Sequence, residues 1–177
     1  YNIDTTQAKR VKQTAETIYS QIDAHPSLAK SELQPLLSWG ALLHEVGLSI
    51  SYPGFHRHSA YLLRHSTMPG FNLEQQTVLA TLVRFQRKSL KLEEMPVLSI
   101  YKRKHLYPLI RTLRLAVALN GQRTDVPLPT MSVTSNKEAW TVTLEDGWEQ
   151  DNKLLAADLR KEQEYWTKVG WELEITP

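Results

Sequence analysis

SELQPLLSWGALLHEVGLSISYPGFHRHSAYLLRH, residues 31–65, is the stretch on which the fold turns. Ser31 is placed to cap a helix, with Gln34 three residues on as its capping-box partner. Leu33, Leu37, Gly40, His44 and Gly47 recur at helical spacing, which puts His44 on the apolar, inward stripe. A histidine there must find a hydrogen-bond partner or a ligand, because an unpaired polar group costs about 1–3 kcal/mol to bury. Past Gly47 the chain turns through Tyr52-Pro53-Gly54 and resumes with Phe55-His56-Arg57-His58-Ser59-Ala60-Tyr61. Two histidine-bearing clusters on either side of a turn, His44-Glu45 and His56 with His58, mark a candidate site.

Outward from this stretch the helical period continues. Asp4 or Thr5 caps a first helix over about 6–21, with Ala8, Val11, Ala15, Ile18 and Ile22 on its apolar stripe. His25-Pro26-Ser27 breaks it. A short third helix covers 56–66, and Met68-Pro69-Gly70 ends it. Asn72 and Gln75 form a capping box for a fourth, whose inner face is Val78, Leu79, Leu82 and Gln86. Gln86 therefore stands where an apolar or a site residue is expected. A fifth helix spans about 102–120 with Gly121 as its C-terminal cap, and Pro108 inside it predicts a kink or a start just before it. Lys104, Arg111 and Arg114 share another side of this helix as a basic ridge.

After Arg123 the period changes to two. Met131 and Val133, then Trp140, Val142 and Leu144, then Trp171, Leu173 and Ile175 alternate with polar neighbours, the pattern of half-buried strands. Asn136-Lys137 fits a hairpin turn. A helix over 151–168 carries Leu155, Leu159, Glu162, Trp166 and Val169 on one stripe. The expected architecture is mainly α: a helical domain over 1–125, then a small α+β domain over 126–177, an antiparallel sheet with one helix. Asp125-Val126-Pro127-Leu128-Pro129 is the linker.

The 177 residues suffice for one sizeable core. No cysteine is present, which excludes a disulfide framework, a thiol nucleophile and a zinc ribbon, and fits a reducing compartment. No apolar run approaches the roughly 20 residues that span a bilayer, and no signal peptide is visible. The chain opens on Tyr1 without Met, as expected of a piece of a longer protein. Charge is segregated. Over 57–123 twelve Lys/Arg stand against three acids, and over 126–177 five stand against ten. A basic middle before an acidic tail allows a polyanion as partner of the first part.

A metal phosphohydrolase site needs several His and carboxylate ligands from different helices. His44, Glu45, His56 and His58 supply some, but Gln7, Gln86 and Val117 occupy inward positions where the other helices would have to contribute. No Gly-x-Ser-x-Gly elbow and no phosphate loop of the G-x-x-x-x-G-K-[ST] type occurs. The basic cluster is more telling. Arg84, Arg87, Lys88 and Lys91 close the fourth helix, where the macrodipole favours cations. Lys102, Arg103 and Lys104 open the fifth, against the dipole, so a bound polyanion explains them better than local stability. Aromatics interleave too sparsely for DNA to be the partner.

His44-Glu45-Val46-Gly47, Arg57-His58-Ser59-Ala60-Tyr61-Leu62 and Pro69-Gly70-Phe71, with Arg84-Phe85-Gln86-Arg87-Lys88, Leu113-Arg114-Leu115-Ala116 and Glu162-x-x-x-Trp166 before Trp171, carry a resemblance. The sequence resembles the C-terminal half of the bacterial exopolyphosphatase/guanosine-pentaphosphate phosphohydrolase family, and lies nearer the exopolyphosphatase branch. The resemblance implies an HD-like helical domain followed by a small α+β domain, with catalysis in N-terminal domains outside this chain. It implies a degenerate HD site at His44, Glu45, His56, His58 and Gln86, with no metal, catalytic residue or cofactor here and Mg for the intact enzyme. It implies that the intact enzyme hydrolyses inorganic polyphosphate, gripped here by Arg57, Arg64, Arg84, Arg87, Lys88, Lys102, Arg103 and Lys104. A homodimer in the cytoplasm, extending to peripheral contact with the inner membrane, goes with it. The alternatives are a metal-dependent HD hydrolase acting on a nucleotide or guanosine pentaphosphate, and a purely structural dimerisation domain.

Overall fold

A computed structural model describes residues 2–23 and 28–177. The break expected at His25-Pro26-Ser27 lies outside them. The chain runs through α1 (Thr5–Gln21), α2 (Lys30–Leu43), α3 (Phe55–His65), α4 (Leu73–Arg84), α5 (Arg103–Leu119), β1 (Met131–Asn136), β2 (Ala139–Leu144), α6 (Trp148–Asp151), α7 (Lys153–Thr167) and β3 (Glu172–Thr176). It is mainly helical with a small three-stranded sheet. Among the described residues no helix is long and apolar enough to cross a membrane.

Local chemistry sets most of these boundaries. The Asp4 side chain accepts the Gln7 amide at 3.0 Å and caps α1, whose buried stripe is Ala8, Val11, Ala15, Ile18 and Tyr19. The Asn72/Gln75 capping box closes both ways, at 2.8 and 3.0 Å. At α2 the expectation fails: the helix starts at Lys30, the N-cap is Ala29, and Ser31 sits exposed inside the first turn. The Lys30 ammonium instead reaches back to the Ile22 carbonyl and over the Tyr19 ring, tying α2 to α1 one residue ahead of a serine cap.

α5 starts at Arg103 and continues through Pro108, and His105 Nδ1 accepts the Lys102 amide at 2.9 Å in its first turn. Beyond its end the left-handed residue is Arg123 (φ 57°) and not Gly121. Two carboxylates fix Arg123 there, as described below. The basic ridge is also corrected. Arg111 and Arg114 are 3% and 0% exposed, so only Lys104 of that trio is on the surface.

In the sheet, β1 pairs antiparallel with β2, but β2 pairs parallel with β3, so the sheet is mixed and not antiparallel. The reason is topological: α7 lies between β2 and β3, and a helical crossover returns the chain in the direction it left. The hairpin turn is Lys137-Glu138, one residue later than expected, because Asn136 still pairs with Ala139. The helix expected over 151–168 is interrupted at Asn152, whose side chain donates to the Trp148 carbonyl at 2.9 Å. Trp166 of α7 stacks edge to face on Trp140 and Trp171 at 5.8 and 5.9 Å. The buried side chains of the helices and of the sheet belong to one continuous apolar cluster.

Candidate functional site

α3 approaches the end of α2 so closely that only glycine fits at 47. A Cβ on Gly47 would lie 2.2 Å from the Phe55 carbonyl oxygen and 2.4 Å from the Ser59 amide nitrogen. Ser59 fastens the contact, accepting the Gly47 amide at 2.8 Å and donating to the His44 carbonyl at 3.1 Å. Gln86 donates to the same carbonyl at 2.6 Å and to the Val83 carbonyl at 2.9 Å. The two histidine clusters are thereby held on neighbouring elements, yet they face different surroundings.

His44 is shut in. Its Nδ1 lies 2.6 Å from the Ala41 carbonyl oxygen, so that nitrogen carries the proton and Nε2 holds the lone pair, 3.8 Å from Glu45. Burial pushes this imidazole below its ordinary value, against the pull of Glu45, and it is neutral at pH 7. Glu45 is committed elsewhere: its two oxygens take Arg123 Nη1 at 2.5 Å and Nη2 at 3.1 Å. Arg123 Nη2 also donates to Asp4 at 2.9 Å. The Gln7 amide, accepting the Asp4-capped turn's Arg10 at 3.0 Å, donates to the Asn120 carbonyl at 2.9 Å. A guanidinium thus already neutralises the one carboxylate beside His44. Among the described residues no group of three or more His, Asp or Glu side chains is placed to hold a metal ion. The donor set does not fit one. His58 is half-buried and turns to the Pro53 carbonyl at 3.1 Å.

His56 is the opposite case. It is buried, and its Nδ1 has no hydrogen-bond partner among the described residues. It lies in a cleft of about 310 Å³ lined by Arg57, Arg84, Phe85, Lys88, Ser89 and Lys91. Burial, then the positive charges of Arg87, Arg57, Arg84 and Lys88, push its imidazole down to about 4. One of these cations is partly neutralised, since Arg84 pairs with Glu94. Arg87 lies over the Phe55 and Tyr52 rings, 4.5 and 5.8 Å from their centres. Arg64, Lys102, Arg103 and Lys104 are exposed outside this cleft.

The cleft rests on a buried pair that charge counting along the sequence missed. Lys88 is left-handed (φ 63°), a conformation that costs about 1–3 kcal/mol in a non-glycine residue and must be held by its surroundings. Arg114 holds it, donating to the Phe85 and Lys88 carbonyls, both at 2.8 Å. Glu162 on α7 in turn grips Arg114 Nε and Nη2 at 2.9 and 3.0 Å. The signal available in sequence was Glu162 itself, an acid on an otherwise apolar stripe.

Comparison with known proteins then places the chain. Residues 1–163 match the model of Ppx/GppA phosphatase, domain III. The chain belongs to that family. It is 35% identical over 175 residues to a guanosine-5'-triphosphate,3'-diphosphate pyrophosphatase of Aeromonas hydrophila, covering 99% of the chain and 35% of the relative. The proteins of that name from Vibrio atlanticus (34%) and Pseudoalteromonas translucida (31%) are matched over the same shares of chain and relative. The chain therefore spans about a third of the length of these relatives and corresponds to the C-terminal region of the family.

Proposed function

We propose that the chain is the substrate-gripping C-terminal part of an exopolyphosphatase, which hydrolyses terminal phosphate from inorganic polyphosphate, and that it holds the polyanion in the cleft around His56. The observation that carries this reading is the cleft itself: Arg57, Arg84, Lys88 and Lys91 line it together with His56, whose buried Nδ1 has no partner among the described residues. Guanidinium forks and ammonium charges suit a chain of phosphates. His56 adds an acceptor that becomes a donor once an anion raises its proton affinity. Arg64, Arg87, Lys102, Arg103 and Lys104 extend the positive surface along the rest of a long substrate. The helical part is read as an HD-like domain, bounded near Asp125, whose ion site has been taken over by the Arg123–Glu45 pair. Bond cleavage, with its Mg, belongs to N-terminal domains outside this chain, and a homodimer completes the enzyme.

Guanosine pentaphosphate is the second reading, favoured by the name that the relatives carry. Length separates the two. A basic surface remote from the point of cleavage adds affinity only for a substrate long enough to reach it. Filter binding of labelled polyphosphate of several lengths, repeated at rising salt, is expected to show affinity that grows with length and falls with salt. Binding independent of length, matched by pentaphosphate, would favour the second reading; no binding at low salt would remove both.

A further inference from the structure

Arg111 and Arg114 stand one turn apart on α5, both out of solvent. Arg114 is fully employed, its Nε–Nη2 edge carrying the Glu162 carboxylate. Among the described residues Arg111 makes a single hydrogen bond, from Nη1 to the Lys137 carbonyl at 3.2 Å. Its own Nε and Nη2 have no acceptor among the described residues. The guanidinium instead lies over ring faces, 4.1 Å from the centre of Trp171, 5.7 Å from Tyr107 and 5.9 Å from Trp140. Stacking accounts for where the group lies, but leaves its forked edge idle and its charge without a hydrogen-bonded acid.

A cavity of about 500 Å³ opens at this spot, between α5 and the β1–β2 hairpin. That is the size of a small-molecule site, and its lining has the matching mixture of ring surface and a few polar groups. Tyr107, Pro108 and Trp140 give flat apolar wall, and Lys104 and Lys137 join Arg111 as its cations. Asp23 and Glu138 line it too. Three cations against two acids suit one oxyanion and disfavour a polyphosphate, whereas the His56 cleft is lined by four Lys/Arg and no acid, Arg84 alone pairing with an acid, Glu94, outside the lining. The two positive regions of the molecule are therefore different in kind.

We propose that the cavity between α5 and the hairpin is a second ligand site, which takes a nucleoside monophosphate with its base on the Tyr107–Trp140 wall and its phosphate between Arg111, Lys104 and Lys137. The idle Arg111 edge lies out of solvent, so the phosphate engages it only with a local opening of the cavity wall. Ser135 and Asn136 offer polar contacts for the sugar. This site shares Lys104 with the surface proposed above to extend along polyphosphate, but none of its lining belongs to the His56 cleft.

Titration calorimetry with AMP, and separately with inorganic phosphate, tests it on the protein and two pairs of charge reversals. AMP is expected to saturate one site at least tenfold more tightly than phosphate. Lys104→Glu with Lys137→Glu, both on exposed side chains, is expected to weaken AMP tenfold or more, and Arg57→Glu with Lys91→Glu to leave it unchanged. Arg111→Lys, which keeps the charge and loses the fork, is expected to weaken it as well. No saturation, phosphate binding as tightly as AMP, or AMP binding that follows the Arg57/Lys91 pair instead of Lys104/Lys137 would each overturn the proposal.

Discussion

His44 and His56 lie on consecutive elements of one fold, and both are buried, but they have opposite fates. Around His44 the ring and its neighbouring acid are matched: its proton by the Ala41 carbonyl, its own carbonyl by Ser59 and Gln86, its neighbouring acid by Arg123, and of this group only Gln86 Oε1 lacks a partner among the described residues. Around His56 the balance is different: its Nδ1 has no partner among the described residues, and of the nearby cations Arg84 alone is paired with an acid, Glu94. The difference teaches that a histidine beside an acid is no sign of a working site when a guanidinium already sits on the acid. Unneutralised charge beside an unsatisfied group is the better guide.

The comparison breaks first if the support of the cleft is removed. Glu162→Leu leaves Arg114 charged and unpaired in the core and is expected to cost about 3–5 kcal/mol in urea denaturation. Because Arg114 then loses its anchor, the turn at Lys88 loosens and phosphate binding falls with it. Gly47→Ala drives a methyl into the Phe55 carbonyl, separating α3 from the end of α2, and is expected to cost about 2–3 kcal/mol by the same assay.

Reversing charge sharpens the contrast without touching the core. Arg57→Glu with Lys91→Glu is expected to weaken polyphosphate at least roughly tenfold, about 1.4 kcal/mol, with a shallower salt dependence. Stability should be unaffected, since both side chains are exposed.

Acid distinguishes the two histidines more gently. In the folded protein His56 is held down to about 4, whereas in the unfolded chain it takes a proton near its ordinary value of 6.5. Protonation therefore favours unfolding, and stability present above pH 6.5 is lost as pH falls towards 4. Against wild type, His56→Gln is expected to flatten that part of the curve by about 1 kcal/mol, the full shift being screened by the open cleft. The smallest expected effect belongs to the His44 side: millimolar Mn or Zn should leave the unfolding midpoint where it was, because Arg123 occupies the Glu45 carboxylate. A rise in the midpoint that Glu45→Gln abolishes would count against the closed site.

Much of this was legible in the sequence, and the misses have physical causes. Period and caps located the helices, because the Asp4 and Asn72 side chains act within one turn of where they stand. The inward position of His44 and the polar anomaly at Gln86 were visible for the same reason. Strand direction was not: alternation marks a strand without saying which neighbour it pairs with, and only α7 between β2 and β3 makes that pair parallel. Arg111 and Arg114 read as a surface ridge because a charged residue is normally outside. Their burial depends on Glu162 and on the tryptophans, dozens of residues away in sequence. Arg123 was unreadable, since its carboxylates, Asp4 and Glu45, stand 119 and 78 residues away in sequence.

The central claim is that the cleft around His56 receives phosphate and the pocket around His44 does not. Following both imidazoles by NMR through a pH titration, with and without polyphosphate, tests it most directly. The account predicts that polyphosphate raises the His56 midpoint from about 4 by a unit or more and leaves His44 unmoved. A His56 midpoint unchanged by saturating polyphosphate, or a shift at His44 in its place, would contradict it.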